Sequence, residues 1–119
     1  MQSTKKVGDE WELVAIKYLQ RNEYQILDTN FRFWRFGEID IICEKEGRIH
    51  FVEVKFRTNL KFGNPEESVT KSKLRKSKKT IEFYVLKNWL DFGKIQFDVI
   101  SILKGEESYK LKHYKNLGI

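Results

Sequence analysis

Two short runs, Gly37-Glu38-Ile39-Asp40-Ile41-Ile42 and Phe51-Val52-Glu53-Val54-Lys55-Phe56, put ionisable groups where apolar strand residues belong. A charge held in an apolar setting costs free energy unless it is paired or holds a metal. Whatever fold the chain adopts must therefore give Asp40, Glu53 and Lys55 a common purpose or a common partner. An acid pair with an amine beside it is also the equipment for holding Mg²⁺ against a phosphodiester.

The spacing predicts how the two runs meet. Glu46-Gly47 reads as a two-residue hairpin turn, since glycine tolerates the positive φ such turns need. Lys45 then pairs with Arg48, Ile42 with Phe51, Asp40 with Glu53 and Glu38 with Lys55. Side chains alternate along a strand, so Glu38, Asp40, Glu53 and Lys55 would share one face, and Ile39, Ile41, Val52 and Val54 the other. Asp40 directly opposite Glu53 is repulsive without a cation between them. The same alternation also fits an ordinary half-solvated hairpin in which Glu38 and Lys55 form a cross-strand ion pair.

Composition narrows the class. A chain of 119 residues, 40% hydrophobic, is sized for one domain spanning 1–119 with a real core. Cys43 is the only cysteine, which excludes an internal disulfide, and it reads as core packing in a reducing, cytoplasmic setting. His50 and His113 lie far apart and lack metal-ligand spacing. No run approaches membrane-spanning length, and no apolar segment follows Lys5-Lys6, so neither insertion nor export is expected. The net charge of +6 is concentrated in Lys71-Ser72-Lys73-Leu74-Arg75-Lys76-Ser77-Lys78-Lys79, with six cations in nine residues, and favours an anionic partner such as nucleic acid.

Periodicity supplies the frame. Trp11, Val14, Ala15, Tyr18 and Leu19 predict a helix over about residues 9–22. A strand over 24–33 and the 38–56 hairpin follow. Asn64, Pro65 and Glu67 read as the capped start of a second helix running to about residue 88. Strands over 95–102 and 109–114 close the chain. The order α-β-β-β-α-β predicts an α/β fold with a mixed central sheet flanked by helices.

Two helical residues stand out. Glu12 falls inside the apolar arc of the first helix, either as a third acid for the site or as the last member of a capping box over Asp9-Glu10-Trp11-Glu12. Lys73 shares an inward stripe with Val69, Ser77, Ile81 and Val85, so it either aims its charge at the sheet or snorkels over apolar neighbours. Lys71, Arg75, Lys76, Lys78 and Lys79 suit phosphate contacts, and equally suit a solvated basic face. Trp34, Trp89 and Phe92 read as core packing rather than as an interface.

Together, Glu12, Asp40, Glu53-Val54-Lys55 and the basic helix resemble the PD-(D/E)xK nuclease superfamily, whose core is the restriction-endonuclease-like α-β-β-β-α-β fold. More narrowly, the chain resembles the YraN-like family of small bacterial proteins. Glu12 with Ala15 and Tyr18-Leu19, Asn30-Phe31-Arg32, the two hairpin strings with Arg57, Phe62-Gly63-Asn64-Pro65-Glu66, Lys73 and Phe97-Asp98-Val99 carry the likeness. One departure is Trp11, where the family more often has glycine.

The resemblance implies Asp40, Glu53 and the Val54 carbonyl as ligands of one or two Mg (or Mn) ions, Lys55 as the charge-stabilising lysine and Glu12 as a supporting acid. It implies a metal-dependent endodeoxyribonuclease, with Lys71, Lys73, Arg75, Lys76, Lys78 and Lys79 tracking a nucleic-acid backbone, DNA favoured over RNA. A homodimer is compatible with such an enzyme, since one small domain reaches one strand at a time. The alternative is a non-catalytic or partner-dependent nucleic-acid-binding module of the same fold. An interaction domain unrelated to nucleic acid is a third reading, which the basic stripe disfavours.

Overall fold

The computed structural model describes residues 4–58 and 71–117, with helical side chains from residue 10 and from residue 77 onward. Helix α1 spans Thr4–Arg21. Strands β1 (Gln25–Phe33), β2 (Gly37–Lys45) and β3 (Arg48–Arg57) follow. Helix α2 spans Lys71–Lys87, and strands β4 (Ile95–Lys104) and β5 (Tyr109–Tyr114) complete the chain. The α/β order expected from the sequence is the order found. The capped helix start expected at Asn64 lies outside the described residues.

Among the described residues five strands lie side by side in sequence order. Only β3 and β4 run parallel; the other neighbours are antiparallel. Parallel neighbours cannot be joined by a tight turn, and the segment holding α2 makes that crossover. The sheet is therefore mixed and covered on both faces. Ala15 and Leu19 of α1 pack with Ile41, Cys43, Val52, Ile100 and Ile102 on one side. Ile81, Tyr84 and Val85 of α2 pack with Ile39, Ile42, Phe51, Phe97 and Val99 on the other. Each fully buried Val, Leu, Ile or Phe among them contributes about 1.5–3 kcal/mol. Cys43 is core, as expected, and burial pushes its thiol up to about 12, which keeps it protonated at neutral pH. Among the described residues no helix is long and apolar enough to cross a membrane.

Two expectations need correction. Helix α1 starts at Thr4, so Asp9 lies inside it and cannot head a capping box that uses Glu12. Gly8 obscured that start, because a glycine inside a helix costs about 1 kcal/mol and reads as a boundary. Trp34, Trp89 and Phe92 are not core: they are 80%, 94% and 52% exposed. Both tryptophans hold left-handed backbone, with φ of 50° and 54°, in turns outside the layers.

Both helices end in the same hydrogen-bonded pattern. The Tyr24 amide donates to the Leu19 carbonyl at 2.9 Å and the Glu23 amide to Gln20 at 3.1 Å; Leu90 to Val85 and Trp89 to Leu86 repeat it. This is the Schellman arrangement, in which the residue just past the helix adopts left-handed φ and is usually glycine. Here Glu23, at φ 68°, occupies that place. Glu23→Gly should therefore stabilise the fold by about 1 kcal/mol, because strain relief exceeds the added chain entropy. Thermal unfolding should show a rise of about 4 °C.

Candidate active site

The β2–β3 hairpin turns on Glu46 and Gly47, with φ of 51° and 80°. Positive φ at both central residues is a type I′ turn, and it sets the register expected from the sequence. Pairs run from Lys45–Arg48 to Ile41–Val52 and stop there. The expected Asp40–Glu53 and Glu38–Lys55 pairs are not part of the ladder. Hydrogen-bonded pairs alternate in an antiparallel ladder, so the Val54 amide should next reach Ile39. It donates instead to Asp40 Oδ2 at 2.7 Å. A side chain thus takes the bond that would have continued the ladder.

The other edge of β2 is irregular at the same level. Its pairing with β1 passes from Thr29–Ile41 to Phe31–Ile39, and the intervening Asn30 has φ 52°. Ile41 faces α1 while Ile39 faces α2, although residues two apart on a regular strand share a side. The expected single apolar face of Ile39, Ile41, Val52 and Val54 is thereby split. Asp40 sits at the point where the strand changes sides.

Acids gather at this break. Glu53 is 6% exposed on β3. Burial, and then the charge of Glu53, push Asp40 up to about 7; Glu38 adds to the rise, while the Val54 amide and a hydrogen bond with Glu12 oppose it. Glu12 and Glu38 are joined through Asn30, whose Nδ2 lies 3.1 Å from Glu12 Oε2 and 2.8 Å from Glu38 Oε1. Arg32 donates to Glu38 Oε2 at 3.0 Å. So Glu38 belongs with β1 and not with Lys55, because its partners lie on the strand that stays paired. Trp11 turns away from this group and stacks on Phe56 at 4.7 Å.

Lys55 is half-buried and lies two residues beyond Glu53, on the same side of β3. Val54 meets Asp40 through its amide rather than its carbonyl. The inward stripe of α2 holds where it is described: Ser77, Ile81 and Val85 are buried. Lys73 precedes Ser77 by one turn, but its side chain, like those of Lys71, Arg75 and Lys76, lies outside the described residues. Lys78 and Lys79 are exposed. Among the described residues no set of three His, Cys, Asp or Glu side chains is arranged to hold a metal. Asp40 and Glu53 act on one another through their charges, and Mg²⁺ is commonly held by one or two carboxylates plus water and phosphate.

Residues 11–102 match the model of a family described as "Uncharacterised protein family UPF0102". The chain belongs to the UPF0102 family. A UPF0102 protein of Syntrophomonas wolfei is 43% identical over 105 residues, covering 88% of this chain and 90% of the relative. One from Persephonella marina is 44% identical over 109 residues, covering 92% and 90%. One from Clostridioides difficile is 42% identical over 114 residues, covering 96% and 97%. UPF0102 is the YraN-like family that the two hairpin strings resemble.

A second polar cluster in this UPF0102 chain was not legible from spacing. Asp98, wholly buried on β4, accepts from His50 Nδ1 at 2.9 Å and His113 Nε2 at 2.8 Å through one oxygen. Its other oxygen accepts from Gln96 Nε2 at 3.0 Å and the Asn116 amide at 2.9 Å. Tyr18 on α1 reaches His113 Nδ1 at 3.0 Å. The two histidines, distant in sequence, meet because β3, β4 and β5 are neighbours. The usable signal was the one that exposed Asp40: Asp98 stands inside the apolar run Phe97–Ile102 and so demanded partners. Burial raises Asp98, but bonds from His113, His50, the Asn116 amide and Gln96 hold it well below the usual carboxylate range. A carboxylate so fully bonded within the sheet is an anchor for the fold.

Proposed function

We propose that this protein is a metal-dependent nuclease of the PD-(D/E)xK type that hydrolyses phosphodiester bonds of DNA. The observation that carries the reading is Asp40 at the end of the β2–β3 ladder, bonded to the Val54 amide and within the field of buried Glu53 on the neighbouring strand. An acid kept protonated near neutrality by burial first, and by the charge of a second acid next, belongs to a site that a divalent cation would relieve. Asp40 and Glu53 would hold Mg²⁺ or Mn²⁺, and the ion would acidify a water and offset phosphate charge. Asp40 would give up its proton to act as a ligand, and the Val54 amide, which already donates to it, would hold the carboxylate in place. Glu12, tied to Asp40 and Asn30, fixes the orientation of that acid. Lys55, beside Glu53, stabilises negative charge developing on the phosphate.

Purified protein with Mg²⁺ or Mn²⁺ should cut DNA presented as branched, single-stranded or duplex substrate, with RNA of the same sequence cut more slowly. Glu53→Gln should reduce cutting by about 10³-fold or more while leaving DNA affinity unchanged. Equal cutting by the variant would defeat the assignment. A nucleic-acid-binding module is the second reading, which the net charge of +6 and the exposed Lys78 and Lys79 of α2 serve equally well. Calorimetry separates the two: the module would bind DNA in a salt-dependent manner and take up no Mg²⁺ through the hairpin acids.

A further inference from the structure

The β1–β2 turn carries a group of aromatic rings that neither core accounts for. Phe33 stacks on Phe83 of α2 with centroids 4.1 Å apart and planes 1° from parallel. Trp34 continues the same orientation, 6° from Phe33 at 6.5 Å, and Phe36 packs against Phe33 at 5.3 Å. Trp34 is 80% exposed and holds φ 50°, a conformation that bulky residues rarely adopt. Trp89 is also held out on left-handed backbone, but there the end of α2 requires that φ, and Trp89 makes no ring contact among the described residues. Trp34 closes no helix and lies parallel to Phe33. Such outliers concentrate at ligand-contacting sites.

The rim identifies the ligand. Lys79 Nζ lies 4.7 Å from the Phe36 ring centre and Lys87 Nζ 5.9 Å from that of Phe31. Arg35 and Lys78 are exposed nearby in sequence, and Glu82 is the one acid among the described residues of α2. Planar rings edged with cations complement a polymer of flat bases on a phosphate chain. In a duplex the base faces are already stacked on one another, so only unpaired bases have faces to offer. Phe36 also opens onto Gly37, Glu38 and Asp40 along β2. Four strand residues cover about 13 Å, roughly four nucleotides of stacked strand.

We propose that Trp34, with Phe33 parallel to it, Phe36 and Phe83 packed on Phe33, Arg35 next in the chain and Lys79 over Phe36, is a stacking platform for unpaired bases of single-stranded nucleic acid. It deepens the nuclease reading and rests on it for the direction of the strand toward Asp40. The platform selects substrates with a single-stranded segment next to the scissile bond.

The test is fluorescence anisotropy with a short labelled oligothymidylate and a labelled duplex of equal length, in EDTA at low salt. Trp34→Ala should weaken single-strand binding about tenfold, within the range measured for base–aromatic stacking, and leave duplex binding unchanged. Trp34→Phe should restore most of the loss, and Trp89→Ala should change nothing. Trp34→Asn, which tolerates left-handed φ, should melt no lower than the parent while binding as poorly as Trp34→Ala. Parental single-strand affinity in Trp34→Ala overturns the platform, as does equal weakening toward both strand forms. A failure of the parent to bind either form overturns it too. So does a dimer in sedimentation that Trp34→Ala dissolves without altering oligonucleotide affinity, which would assign the rings to a second copy. Absence of Mg²⁺-dependent cutting alongside intact Trp34-dependent discrimination removes the nuclease reading and upholds the platform.

Discussion

Replacing Asp98 with alanine should destabilise the fold by about 4 kcal/mol at neutral pH, the scale found when one partner of a buried charged network is removed. The carboxylate accepts from His50 on β3, His113 on β5, Gln96 on β4 and the Asn116 amide in the segment after β5. Without it the His50 and His113 donors stay buried with nothing to replace water. Asp98→Asn should recover little, because an amide offers one accepting oxygen and turns two N–H donors toward groups that themselves donate. The deficit has a defined pH course. Asp98 is held below its unfolded value, so its contribution is fully present above about pH 4 and is lost as pH falls toward the folded value. Denaturant unfolding should show the gap between parent and Asp98→Ala at pH 7 narrowing steadily below pH 4. A gap that does not change with acidification would mean that Asp98 acts by packing alone.

That cluster marks where sequence reading stops. Glu46-Gly47 announced the hairpin and its register because turn chemistry is local: two positive-φ positions fix which residues face each other. The apolar spacing of α1 likewise placed Ala15 and Leu19 inward, and that of α2 placed Ile81 and Val85. Asp40 and Glu53 were legible as a pair because each interrupts an apolar strand and the turn joins them. Their geometry was not, since the Asp40 side chain takes the Val54 amide and Asn30 reverses its backbone, two events outside any alternation rule. His50, Asp98 and His113 meet only through strand order, which no local spacing encodes. Trp34 and Trp89 misled because hydrophobicity ranks residues by the water they would shed and says nothing of a turn that holds them out.

Asp40→Asn should make the protein more stable and functionless. Between about pH 4 and 7 the folded chain keeps a proton on Asp40 that the unfolded chain has released, so stability falls as pH rises through that window. The full shift corresponds to about 4 kcal/mol, and discounting for partial solvent access leaves about 2 kcal/mol. Asparagine keeps a carbonyl oxygen for the Val54 amide and removes the charge that opposes Glu53 and Glu38. Its gain should be small near pH 4, grow to about 2 kcal/mol by pH 7 and stay level above, a melting rise of about 8 °C at pH 8. Divalent cation gives the opposite signature. Mg²⁺ or Mn²⁺ should raise the melting temperature of the parent, with an affinity that increases about tenfold per pH unit below pH 7 as the Asp40 proton is displaced. Neither ion should shift the melting temperature of Asp40→Asn. Stability increased by the same substitution that removes the metal response would locate the repulsion of the two acids in the site itself. A variant less stable than the parent at pH 8 would show that Asp40 and Glu53 are reconciled by the fold without any cation, and the proposed chemistry would lose its basis.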